Sequence, residues 1–309
     1  MLAPRPAPAI RASTVSRQAI LQCMNAPVLV VHGPAAAEVP LVLDSPHSGT
    51  AMPADFGSVR SEAELREGED SFIDELYQPA AARGVPLLAA LFPRTYLDPN
   101  RHHGDIDLEL IEGGRWPHEH VPSGKHRIGK ALIWRTLDDG RPIYSRKLRV
   151  AEVVARIERC HAPYHERLRA LLEETHRRFG AVYHLNCHSM PAVGGKQGEG
   201  GEGQPRAEFV LGDRDGTSCD PAFTEFVRAA LAAMGYEVAV NDPYKGVELV
   251  KAYSDPRRRR HSLQVEINKK LYMDESTRTR HEGFASLQAN LTRLVESIAE
   301  YIAAERTNG

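Results

Sequence analysis

The sequence predicts an α/β fold, a mostly parallel sheet with helices on both faces. Three observations predict it. Short unbroken aliphatic runs, among them Val28 to His32, Leu41 to Leu43 and Val85 to Leu91, read as buried strands. Segments with apolar residues at helical spacing fall between those runs, and strands alternating with helices build parallel sheets. No internal repeat and no linker divides the chain, so residues 26–309 are expected to form a single domain behind a loose N-terminal arm over residues 1–25.

A chain of 309 residues, 42% hydrophobic and 26% charged, is long enough to bury a sizeable core. Its net charge of −2 argues against a general nucleic-acid binder. No apolar run approaches the roughly 20 residues that span a bilayer. The four cysteines, Cys23, Cys160, Cys187 and Cys219, form neither a Cys-x-x-Cys pair nor a dense framework, and read as reduced, mostly buried thiols of a cytoplasmic protein. Residues 1–25 carry arginines, prolines and alanines but no acid. They lack the apolar core of ~7–15 residues that a secretory signal needs.

The elements justify themselves in order. Val28 to His32 and Leu41 to Leu43 are strands separated by a Gly-Pro turn. A short helix is expected near Glu62 to Arg66, and Asp70 opens a clearer one, with Phe72, Ile73, Leu76, Tyr77 and Ala80 at helical spacing and Arg83-Gly84 as its stop. After the run Val85 to Leu91, residues 102–146 are rich in His, Arg, Gly and Pro and read as loops that cover something. A long helix or helical pair spans about Ser145 to Phe179, interrupted near Pro163. A strand starting at Val182 leads into His188-Ser189, and Gly194 to Gly203 is a mobile surface loop that lacks the Lys-Ser/Thr ending of a phosphate loop. Phe209 to Gly212, Val238 to Val240 and Leu263 to Ile267 are strands. Pro221 to Met234, capped by Asp220, and Glu282 to Ala304 are helices.

Two histidines stand out because ligands and catalytic groups collect at the carboxyl ends of such strands. His47 ends Leu41-Val42-Leu43-Asp44-Ser45-Pro46-His47, and His188 ends Val182 to His188 in a matching strand, His-Ser, loop context. Two imidazoles and a carboxylate make a metal site that keeps a position open for water. Asp70, which follows the first histidine and starts a helix, is the candidate acid, with Asp74 one turn on as the alternative. Asp70 also reads as a helix N-cap.

Glu266, flanked by aliphatics in Gln264-Val265-Glu266-Ile267-Asn268, is either a solvent-facing strand residue or an acid placed at a site. At a site it would take a proton from water and pass it to a leaving amine. Arg94, Asp98, Asn100 and Arg101 form a polar cluster after an aliphatic run. Arginine with an adjacent amide suits an anionic substrate, whereas a surface loop with an Arg-Asp pair is the plainer reading. The run Arg257 to Arg260 lacks interleaved aromatics and reads as a solvated loop. Ser48 and Ser189 lie in no nucleophile elbow, and Cys187 points away from its neighbour His188.

Taken together, these segments resemble the N-formylglutamate amidohydrolase family, a metal-dependent deformylase family associated with histidine breakdown. The resemblance runs from about Val39 to Glu275. It rests on Ser-Pro-His-Ser-Gly at His47, Glu-Asp-Ser-Phe-Ile-Asp-Glu-Leu-Tyr at Asp70, Pro-Arg-Thr-Tyr-Leu-Asp-Pro-Asn-Arg at Arg94 to Arg101 and Asn-Cys-His-Ser-Met at His188. Asn241 to Gly246 and Gln-Val-Glu-Ile-Asn with Leu-Tyr-Met-Asp-Glu, carrying Glu266 and Tyr272, complete it. The family is in turn similar to zinc carboxypeptidases and to aspartoacylase and succinylglutamate desuccinylase.

That resemblance implies a phosphorylase/hydrolase-like three-layer α/β/α fold around a mixed sheet, with Zn2+ on His47, Asp70 and His188. It implies that Asp98, Asn100 and Arg101, matching an Asp-x-Asn-Arg motif, handle a substrate carboxylate, with Lys245 and Tyr272 as further substrate contacts. Glu266 would serve as the proton carrier and Arg94 as the oxyanion stabiliser. The expected substrate is a small anionic N-acyl amino acid, N-formyl-L-glutamate first, with neither nucleic acid nor membrane as partner. Residues 102–127 and 194–203 match no family pattern and leave the acyl group open. A zinc amidase for a larger N-acyl amino acid or peptide is the rival enzyme, and a non-catalytic binding protein on the same fold the rival of another class.

Overall fold

Seven strands form the central sheet of the computed structural model, which describes residues 26–196 and 199–308. The expected N-terminal arm and Cys23 lie outside the described residues. The strands are β1 (Leu29–His32), β2 (Leu41–Ser45), β3 (Leu87–Ala90), β6 (Val182–Met190), β7 (Phe209–Gly212), β8 (Val238–Val240) and β9 (Arg260–Asn268), in the spatial order β1-β3-β2-β6-β9-β7-β8. Between them, β4 (Ile111–Glu112) pairs with β5 (Leu148–Arg149), and β10 (Met273–Asp274) with β11 (Thr279–Arg280), as short ladders outside the sheet. β3, β2, β6 and β9 run parallel, while β1 and the β7-β8 pair run against them. The sheet is therefore mixed and mostly parallel, as expected.

Alternation along the strands divides the sheet into two unlike faces. Leu41 and Leu43 of β2, Leu185 and Cys187 of β6, and Leu263, Val265 and Ile267 of β9 enter one apolar cluster. Three helices close it: α2 (Ile73–Ala81), α5 (Pro221–Ala233) and α7 (Gly283–Asn308). The opposite face carries Asp44, His184, Asn186, His188, Ser262, Gln264 and Glu266, all buried. That face is covered by the loop-rich stretch before β5 and by α3 (Val150–Arg156) and α4 (Ala162–Phe179). The result is the three-layer α/β/α arrangement.

Details depart from the sequence reading in informative ways. α1 (Glu62–Leu65) forms with a capping box between Ser61 and Glu64. α2 begins at Ile73 rather than Asp70, because Phe72 takes a left-handed conformation with φ of 65° and the Asp70 side chain caps nothing. The helical pair after β5 is broken by a π segment at Ile157–His161, just before Pro163. β6 continues through His188 to Met190, so that histidine lies within the strand's last turn of pleat. α6 (Glu248–Tyr253) was not expected. Fully buried Arg156 bonds to Tyr144 Oη and to the carbonyls of Tyr96 and Phe56, beneath the rings of Tyr96 and Tyr144.

The chain leaves β2 toward β3 on one side, while β6 leads onward to β7 on the other. β2 and β6 thus flank a topological switch point, where a crevice opens at the carboxyl ends of the strands. Gly49 lets the segment after His47 cross against Leu91 and Phe92: a Cβ there would lie 2.4 Å from the Leu91 carbonyl carbon and the Phe92 oxygen. Gly49→Ala should therefore destabilise the fold by roughly 1–3 kcal/mol through backbone overlap. Urea denaturation would measure it, and an unchanged midpoint would refute the close-approach argument.

Candidate active site

Asp70 is drawn to His47 by backbone as well as side chain. Its amide donates to the His47 carbonyl at 3.1 Å, and Ser48 Oγ donates to its carbonyl at 3.2 Å. From the other side, Lys269 Nζ donates to the Glu69 carbonyl at 2.7 Å and Tyr272 Oη to the Ser71 carbonyl at 3.0 Å. The acid so held lies with Oδ2 3.2 Å from His47 Nδ1 and 2.9 Å from His188 Nδ1. One ligand atom from each of the three residues lies within 4.8 Å of the others, and all three side chains are buried. Asp74, the alternative acid, lies outside this group.

Which ring nitrogens face inward follows from their outer partners. His47 Nε2 donates to Asp98 Oδ1 at 2.7 Å. Asp44 Oδ1 accepts from Asn186 Nδ2 at 2.7 Å, which turns Asn186 Oδ1 toward His188 Nε2 at 2.8 Å. Asn100 Nδ2, its Oδ1 held by the Leu249 amide, also approaches that nitrogen at 3.2 Å, and the shorter contact to the Asn186 oxygen favours a proton on Nε2. With both Nε2 atoms protonated, both neutral imidazoles present Nδ1 lone pairs to a carboxylate oxygen. Such a convergence of three acceptors fits a cation. Two imidazoles and one carboxylate, oriented by outer carboxylate and amide partners, is a donor set that leaves coordination positions open.

Ionisation follows the same geometry. Burial alone would raise the carboxyl of Asp70, but its contacts with His188 and His47, together with the charge of Arg94, hold it far below the usual range. Asp98, also opposed by burial, is held well below that range by His47, Arg94 and Arg101. Glu266 moves the other way, pushed well above the carboxylate range by burial and by Asp70, with Arg94 opposing. It stands beside His188 in the β6-β9 register, on the same face, and its Oε1 accepts from Gln264 Nε2 at 2.8 Å.

A cavity of about 590 Å³ opens over these groups, within the roughly 300–1,000 Å³ of small-molecule sites. His47, Asp70, His188, Glu266, Arg94, Asn100, Arg101 and Lys245 all line it. Arg94 bonds Asp98 Oδ2 at 2.9 Å, lies 3.8 Å from Asp70 Oδ1, and stacks on Trp134 at 5.1 Å. Arg101 donates to the carbonyls of Lys130 and Asn100. Lys245 lies at the exposed rim, paired with Asp215 at 3.0 Å.

Two expected substrate contacts are placed elsewhere. Asp98 is fully buried behind His47 and Tyr272 behind Ser71, and neither lines the cavity. The loop after β6 does border it, through Pro191, Val193, Gly195, Glu199 and Arg206, and Glu199 pairs with Lys125 of the His/Arg-rich stretch. Of that loop, Gln197 and Gly198 lie outside the described residues.

The family model for N-formylglutamate amidohydrolase matches residues 39–273, about three quarters of the chain. The chain belongs to the N-formylglutamate amidohydrolase family. It is 48% identical to an N-formylglutamate amidohydrolase from Ralstonia eutropha JMP134 whose crystal structure superposes with a TM-score of 0.84, over 90% of this chain and 99% of that one. An N-formylglutamate deformylase of Pseudomonas aeruginosa is 29% identical over 242 residues, 77% of this chain and 83% of the relative. A gene product of Agrobacterium tumefaciens shares the fold at 18% identity and a TM-score of 0.66, over 90% of this chain and 97% of that one. As a member of this family the protein is an amidohydrolase.

The geometry of the histidine-aspartate group yields a metal prediction. Purified protein should carry about one divalent ion per chain. His188→Ala should remove it, and Asp98→Asn, which replaces the carboxylate behind His47 with a neutral amide, should lower affinity roughly 10–100-fold. Elemental analysis and chelator competition measure both, and full metal retention in His188→Ala would exclude the group as a metal site.

Proposed function

We propose that the protein hydrolyses N-formyl-L-glutamate to formate and L-glutamate, with zinc held by His47, Asp70 and His188. The observation that carries this reading is the adjacency of Glu266, raised in proton affinity, to a three-ligand group at the floor of a cavity lined by buried cations. The family and the names of its relatives support the substrate. A zinc ion there would supply Lewis acidity, polarising the formyl carbonyl and activating water.

The chain's own residues carry the rest. Glu266 takes a proton from the attacking water and returns it to the amine nitrogen as the C–N bond breaks. Its raised proton affinity suits a carboxylate that must hold that proton between the two steps. Arg94, fixed by Asp98, offers its guanidinium to the developing oxyanion. Asn100 and Arg101 receive a substrate carboxylate, and Lys245 at the rim draws the anion inward. Asp98 and Tyr272 act at one remove, the first by fixing the tautomer of His47 and the second by holding the segment that carries Asp70. Residues 26–309 would form one catalytic domain. A cytoplasmic location is supported by the free, buried state of Cys160, Cys187 and Cys219.

Formate release from N-formyl-L-glutamate, measured beside N-acetyl and N-succinyl amino acids, tests the reading. Preference for an acetyl, succinyl or peptide substrate would overturn it in favour of a larger-substrate amidase. Glu266→Gln should lower kcat by about 10²–10⁴ with metal content unchanged. Arg94→Ala should lower it by about 10²–10³. A variant of either residue that loses its metal would have a structural job instead.

A further inference from the structure

Most cations around the cavity already have an acid. Arg94, Lys125, Lys130 and Lys245 pair with Asp98, Glu199, Asp138 and Asp215. Lys269 gives its Nζ to the Glu69 carbonyl, and Arg101 lies 3.9 Å from Asp105. Arg206 shares with Lys269 the lack of an acid and differs from it in keeping a buried polar atom without a partner. Only 8% exposed, it has no acid within pairing distance among the described residues. Nη1 donates to the Pro191 carbonyl at 3.2 Å and Nη2 to the Glu199 carbonyl at 3.1 Å, while Nε is buried without a partner. Its guanidinium lies 5.2 Å from the Tyr244 ring, and its backbone is pinned by Asn268 Nδ2, two residues beyond Glu266.

A buried guanidinium held only by neutral carbonyls is a costly arrangement unless an anion joins it. N-formylglutamate carries two carboxylates, and Asn100 with Arg101 accounts for one. Asn100 lies against the ring of His188, so that pair meets the carboxylate nearer the scissile amide, the α-carboxylate. We propose that Arg206 is the specificity residue of this site, receiving the side-chain carboxylate of an N-formyl dicarboxylic amino acid. The assignment rests on the deformylase reading and adds to it the reason a dicarboxylate is preferred. The two carbonyl bonds would hold the guanidinium in the orientation a bidentate carboxylate needs.

The same bonds also tie Pro191 to Glu199, so a loop-clamping role must be separated from substrate recognition. N-formyl-L-glutamine, isosteric but neutral at the side chain, separates them. Wild type should prefer N-formylglutamate over N-formylglutamine by roughly 10²-fold in kcat/KM. Arg206→Gln should collapse that preference to within a few-fold, mainly through a loss on N-formylglutamate, and Arg206→Lys should restore part of it. Calorimetric binding of L-glutamate against L-glutamine should shift in parallel and does not depend on turnover. Equal losses on both substrates, or a preference unchanged in Arg206→Gln, would reduce Arg206 to a clamp. Formate release from neither substrate by wild type would instead overturn the deformylase reading, and the glutamate-glutamine binding ratio would still decide the role of Arg206.

Discussion

Two buried acids decide which way the site histidines face. Asp98 takes the outer proton of His47 directly, and Asp44 takes that of His188 through the amide of Asn186. Remove either and the imidazole is free to flip, pointing a protonated nitrogen at Asp70. The chain behind Asp44 is long: Tyr164 Oη donates to its Oδ2 at 2.7 Å, and His184 bridges its Oδ1 to Ser262 Oγ. Those partners, with burial opposing them, hold Asp44 ionised below its ordinary range. Tyr164, Ser262, His184 and Asn186 are thus tied through Asp44 to the fixing of one ring nitrogen, and a connected network of this kind is rigid where isolated pairs would not be.

That face exists because β6 and β9 pair in parallel with His188 opposite Glu266 and Asn186 opposite Gln264. A slip of one residue would bring Cys187 and Val265 to the cavity and turn the site into the apolar layer. The apolar face opposes such a slip, since Leu185, Cys187, Leu263, Val265 and Ile267 are packed against three helices. The core on one side and the chemistry on the other are therefore set by the same register.

Much of this was legible in the chain. The strand-end histidines and the aliphatic runs carry their own signal, because buried parallel strands cannot hide polar residues without a reason. Other features left no local trace. Asp98 and Arg101 are three residues apart, and nothing in their types tells that one faces a histidine and the other a cavity. Asp70 looks like a cap because it precedes an apolar-periodic stretch, yet the left-handed turn at Phe72 detaches it from the helix. Arg206 was hidden by direction. β7 runs against β9, so the residues before it fall at the carboxyl rim of the parallel strands, where a reading that assumes parallel order puts only the residues after a strand.

The same antiparallel strand explains how the cavity acquires opposing charges. Asp70 and Glu266 are close enough that Asp70 raises the proton affinity of Glu266, which on its own would leave a proton trapped there. Arg94 lies between these effects, pairing with Asp98 and approaching Asp70 while lowering the proton affinity of Glu266. Arg206 also lowers it, from the far side of β9. The two guanidiniums thus offset part of what burial and Asp70 do, leaving Glu266 less prone to hold a proton before water must be deprotonated.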